Sequence, residues 1–119
     1  MRYMMLVYTQ EGLPGSPEQV EAVRQGHRAV MDDAARLGVL EVAEPLKPTQ
    51  TATTIRMDKG GAIVTDGPFA ETKEQLAGYY ILNCKDLDEA IDWASRMPTA
   101  CGGATGCIEI RPIADISSR

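Results

Sequence analysis

The 119-residue chain has one histidine, one phenylalanine, one tryptophan and three cysteines. An odd cysteine count with no C-x-x-C pair argues against a disulfide framework. Cys101 and Cys107 flank a GGATG stretch, but a lone histidine elsewhere does not complete a zinc ligand set, so no metal is expected. Reduced thiols in a cytoplasm are the simpler expectation. Positive charge is also scarce. Twelve Lys and Arg stand against seventeen Asp and Glu, for a net charge of −5, and the basic residues are scattered. This argues against a nucleic-acid partner, whose phosphates require a basic face. No apolar run approaches the roughly 20 residues of a membrane span, so no membrane partner is expected. The stretch Tyr3 to Tyr8 is too short for a signal-peptide core, and no small-residue cleavage site follows it. Finally, the chain lacks G-x-S-x-G, a phosphate-binding glycine loop, H-E-x-x-H and an EF-hand pattern. CGGATG resembles a dinucleotide fingerprint only loosely, and it precedes a strand where that fingerprint must follow one. No cofactor is implied.

What remains is a globular composition, 44% hydrophobic and 24% charged, in a length that suits one domain over residues 1–119. RYMMLVY (Arg2 to Tyr8) is apolar on both alternating faces and reads as a central strand. Ser16-Pro17-Glu18-Gln19 is a helix start with an N-cap, a proline at the first position and a capping box. That helix runs to about Leu37 and stops at Gly38. Its apolar stripe is Val20, Val23, Val30, Met31, Ala34 and Leu37.

Strand-like stretches follow at Val39 to Leu46, Thr51 to Asp58, Ala62 to Thr65 and Leu76 to Asn83, the second and third joined by a KGG turn. Asp86 opens a second helix with Glu89 as box partner; Leu87, Ala90, Ile91, Ala94 and Met97 form its stripe, and Pro98 ends it. Cys107 to Ile113 is the last strand, and Ala114 to Arg119 a frayed tail. Two helices cover only one face of such a sheet, which leaves the other face apolar and predicts a homodimer. Burying even ~600 Å² of apolar surface per subunit contributes on the order of 15 kcal/mol before association costs.

His27 falls on the apolar stripe of the first helix, four residues after Val23 and four before Met31, so it points toward the sheet. There an imidazole needs a partner. Two roles are open: a buried scaffold histidine bonded to a backbone carbonyl, or an acid/base group in a pocket between helix and sheet. Arg24, one turn earlier, suits an anionic substrate group. The other unusual stretch is TDGPFAETKEQ, Thr65 to Gln75. Asp66-Gly67-Pro68 is a turn, Phe69 is expected to anchor it by burial, and Glu71 and Lys73 share a face if the segment is extended.

The run VTDGPFAETKEQLAGYYIL, Val64 to Leu82, resembles the signature of the DGPF subgroup of the YCII-related family. RYMMLVY, ARLGVLEVAEPLKPTQTATTIRM, DLDEAIDWASRMP and IEIRPI extend the resemblance over nearly the whole chain. It implies an α+β, ferredoxin-like β-α-β-β-α-β fold with an extra hairpin, two helices on one sheet face and pairing into a dimeric α/β barrel. It also implies a cavity for small organic ligands. The family's R-x-x-H pattern matches Arg24 and His27, while Met97-Pro98 stands where the family has Asp-Pro. The expected site is therefore His27 with Asp66 as catalytic residues, and Arg24, Glu71 and Lys73 as substrate-binding residues. Two functions follow: a cofactor-independent lyase- or isomerase-like enzyme using His27 for proton transfer on a small organic acid or lactone, or a non-catalytic metabolite-binding or regulatory homodimer. A third, a scaffold dimer locked by the DGPF loop, needs no ligand.

Overall fold

The computed structural model describes residues 1–13, 15–99 and 105–116. In chain order these form β1 (Arg2–Thr9), α1 (Pro17–Arg36), β2 (Leu40–Pro45), a 3₁₀ turn (Thr49–Thr51), β3 (Thr53–Asp58), β4 (Gly61–Asp66), β5 (Gln75–Asn83), α2 (Leu87–Ala94) and β6 (Gly106–Pro112). Cys101 and the GGA beside it lie outside the described residues, as does the end of the expected tail (117–119).

Strands β2, β5, β1 and β6 form one antiparallel sheet in that order, and β3 pairs with β4 in a separate two-stranded ribbon. With both helices on one face, this is an α+β fold consistent with the ferredoxin-like arrangement, the ribbon being inserted between β2 and β5.

Strand alternation sorts the two sheet faces. Tyr3, Met5 and Val7 of β1 and Tyr80 and Leu82 of β5 are buried under the helices with Val30, Ala34, Ala90, Trp93 and Met97. Met4, Leu6, Tyr8, Tyr79 and Ile81 point to the opposite face, which no helix among the described residues covers. The α1 cap forms as the sequence predicts: Gln19 N–H donates to Ser16 Oγ (3.1 Å), and Ser16 N–H donates to Gln19 Oε1 (2.8 Å). At α2, Asp86 accepts from Glu89 N–H, but the Glu89 carboxylate turns back to Lys85 N–H rather than to the cap itself.

Three packing expectations are corrected. Leu37 lies past the last turn of α1 and is 61% exposed. Helix α2 ends at Ala94, and the chain turns through Arg96 and Met97 before Pro98. That short helix seats Ala90, Trp93, Ala94 and the following Met97 on the sheet, which rotates Leu87 and Ile91 outward (50% and 43% exposed). No helix among the described residues is long and apolar enough to cross a membrane.

Candidate functional site

Helix α1 lies with two different flanks turned to its surroundings. On one, Asp33 Oδ2 accepts from Arg96 Nη2 (2.5 Å), and Gly26 meets the chain after α2 so closely that an added Cβ would sit 2.9 Å from Pro98 Cγ. A glycine in a helix interior costs up to about 1 kcal/mol against alanine. Here the missing side chain is what admits Pro98. On the other flank, Val23, Arg24, His27, Arg28 and Met31 form one wall of a cavity of about 630 Å³, closed by Val7, Ala43, Ala77 and Tyr80 of the sheet.

His27 sits between these flanks. It is half-buried, and its Nδ1 lies 2.6 Å from the Tyr80 hydroxyl, with ring centroids 5.8 Å apart. Burial depresses its pKa below the ordinary 6.5, and a backbone hydrogen bond to Pro98 works the other way. A neutral ring protonated on Nε2 suits this setting, because Nδ1 is then free to accept from the Tyr80 hydroxyl beside it. Burial raises the Tyr80 hydroxyl to about 12, so it keeps its proton at neutral pH.

The histidine is thus half-buried against the backbone at Pro98, with Nδ1 facing a hydroxyl that lines the cavity. Sequence reasoning singles out neither Tyr80 nor Gly26. The signals are a glycine in mid-helix directly before the only histidine, and the Gly78-Tyr80-Leu82 alternation that turns Tyr80 toward α1.

Arg24, expected as an anion holder, lines this cavity, and Arg28 joins it. Among the described residues neither guanidinium has a hydrogen-bond or ion-pair partner; the salt bridges there use Arg2, Arg36 and Arg96. Glu44 borders the cavity, but it is opposite Tyr79 on the uncovered sheet face, where its carboxylate accepts the Tyr79 hydroxyl.

The signature loop lies elsewhere. Asp66 ends β4 opposite Thr53, in the ribbon, and the side-chain partner of His27 is Tyr80 rather than Asp66. Glu71 lines a second cavity of about 530 Å³, together with Tyr8, Leu46, Thr49, Phe69 and Glu74. The two cavities share no lining residue, and Asp66 and Lys73 line neither. Phe69 does not anchor the loop by burial: it is 72% exposed. The corner is held instead by bonds to its backbone: Gly67 N–H donates to the Ala52 carbonyl (2.7 Å), Thr54 Oγ1 to the Gly67 carbonyl (2.8 Å) and Arg56 Nη2 to the Phe69 carbonyl (3.3 Å). The ring is left on the rim of the second cavity. Of the five residues expected in one site, the fold brings together His27 and Arg24.

The family model described as YCII-related domain matches residues 1–117. The chain is also similar to an uncharacterized protein of Rhizobium meliloti (strain 1021), 42% identical over 116 residues that span 96% of this chain and 93% of the relative.

Proposed function

The chain belongs to the YCII-related domain family, and from that premise we propose that it is a small, cofactor-independent enzyme of the lyase or isomerase type. Its reaction moves a proton on a small organic acid or lactone bound between α1 and the sheet. The observation that carries this reading is the 2.6 Å contact between His27 Nδ1 and the Tyr80 hydroxyl inside the cavity. Tyr80 is the group that touches the substrate. Its oxygen takes the proton from the substrate carbon as its own proton passes to His27 Nδ1. The imidazolium so formed has the Pro98 backbone as its stabilising neighbour, and return of the proton to a different carbon restores both residues. A backbone carbonyl stabilises that cation less than a carboxylate does, in keeping with a histidine held below its ordinary pKa.

Asp66, Glu71 and Lys73 enter this reading only from the signature loop of a second subunit, since their own chain keeps them off the His27 cavity. The run Asp66 to Phe69 supports placement in the DGPF subgroup. A homodimer is part of the proposal, supported by the uncovered apolar sheet face and by the ribbon's exposed Ile55, Met57 and Val64.

Deuterium uptake tests the chemistry whatever product is formed. Small carboxylic acids and lactones with a C–H beside a carbonyl are incubated with the protein in D2O and followed by mass. The wild type is expected to exchange at least one of them, Tyr80→Phe to lose about a hundredfold or more of that rate, as removal of an acid/base group does, and His27→Gln to lose as much. No uptake by the wild type, with retained binding, favours the second reading, a non-catalytic metabolite-binding module. That no carboxylate among the described residues bonds His27 is what supports that alternative.

A further inference from the structure

Taking that cavity as the binding site, we infer that it selects organic dianions, dicarboxylates with an apolar middle, through Arg24 and Arg28 acting as a two-point clamp. Three observations combine. First, Arg24 and Arg28 are four residues apart on one helix, so their side chains rise from the same flank, one on either side of His27 in sequence. Second, neither has an acidic partner among the described residues, although acidic residues outnumber basic ones seventeen to twelve. Like charges at this spacing destabilise a helix by a few tenths of a kcal/mol each, and a ligand carrying two negative charges removes that cost. Third, most of the rest of the lining is apolar, with Val7, Val23, Met31, Ala43, Pro45 and Ala77 beside Thr9 and two tyrosines. The one carboxylate in the lining, Glu44, accepts the hydroxyl of Tyr79, which lines the same cavity, so its charge is already engaged by a donor.

The arrangement divides the labour. Both guanidiniums are exposed and His27 is half-buried, so the cations stand at the mouth and the imidazole beneath them. Arginine's planar fork matches carboxylates in two-point fashion. A ligand with both carboxylates at the mouth places its apolar carbons against Met31 and Ala43, next to Tyr80. A monocarboxylate satisfies one guanidinium and leaves the other unpaired. Inorganic phosphate supplies the charge but nothing to cover the apolar floor.

Titration calorimetry on the full chain tests this with matched pairs, benzoate against phthalate and butanoate against succinate, together with inorganic phosphate. On the wild type the dicarboxylate of at least one pair is expected to bind about tenfold or more tightly than its monocarboxylate, the increment of one charge-assisted contact. Arg28→Gln and Arg24→Gln each bring that ratio close to one without loss of the folded state. Equal affinity within both pairs, a ratio unchanged in both variants, phosphate binding as tightly as the dicarboxylates, or no binding by any probe at millimolar concentration overturns the clamp. The outcome is separable from that of the proton-transfer reading. A clamp that binds without deuterium uptake leaves the inference standing and removes the chemistry; uptake by monocarboxylates with no charge preference does the reverse.

Discussion

At the scale of single residues, the histidine is legible from its place on the helical stripe, and its surroundings are not. Helical periodicity states which way a side chain points. It cannot state what stands opposite, and Tyr80 is 53 residues away in sequence. Gly26 is the residue that connects the two. It lets Pro98 approach α1, and the Pro98 backbone is the one contact that raises the His27 pKa against burial. Replacing Gly26 by alanine therefore sets a helix gain of up to about 1 kcal/mol against an overpacking cost of about 1–3 kcal/mol, because a proline ring has little room to yield. Gly26→Ala is expected to lower Tm and to depress the His27 pKa further, read from the one imidazole signal in a proton NMR titration. The sign for stability follows from linkage. Below the unfolded value of 6.5 the unfolded chain takes up a proton that folded His27 declines, so stability falls as pH drops from 6.5 toward the depressed folded pKa and is flat above it. In Gly26→Ala that fall continues to lower pH. A His27 pKa unmoved by the substitution would show that Pro98 does not set it.

At the scale of elements, capping chemistry and strand alternation locate every helix and strand of the described chain to within a few residues. Ser16, Gly38 and Asp86 each act at the helix end where their chemistry places them. What fails is the inward stripe of α2. A helix of 8 residues has too few turns for periodicity to fix its rotation, and the bulky Trp93 settles it. The β3–β4 ribbon is legible as a hairpin, but its separation from the main sheet is not, because alternation does not say which strand is the neighbour. Its root depends on Gly67, whose φ of 101° few other residues adopt and whose N–H and carbonyl both tie the ribbon together. Gly67→Ala is expected to cost on the order of 1–2 kcal/mol locally. By hydrogen exchange the amides of Arg56 and Ile63, which face each other at a hydrogen-bonded position of the ribbon, should lose protection while those of Met5 and Leu82 keep theirs. Equal loss across both sheets would show that the ribbon and the main sheet open as one unit.

At the scale of the whole molecule, the chain exposes more surface than its mass requires. A 12.9 kDa monomer is expected to present about 6,300 Å², against 8100 Å² observed. Its radius of gyration of 16.3 Å exceeds the roughly 13.5 Å of a compact chain of this length. The ribbon accounts for much of this. Ile55, Met57 and Val64 share one of its faces and are 62%, 78% and 63% exposed, and a two-stranded ribbon alone is at best marginally stable in water. The excess area is of the size that each partner contributes to a large obligate interface, above the ~800 Å² of a standard one. A second copy covering the ribbon makes the energetics consistent, and light scattering is then expected to give twice the chain mass. Paired substitution of Ile55 and Val64 by aspartate places two charges on the face that the partner covers. Because both side chains are exposed within the chain, the core is untouched, so circular dichroism should be preserved while the mass falls to that of one chain. A wild-type mass of one chain would remove the dimer, and with it the only route by which Asp66, Glu71 and Lys73 reach a His27 cavity. A double variant that stays dimeric would move the interface to the uncovered sheet face of Met4, Leu6 and Ile81 and leave the ribbon without an assigned partner.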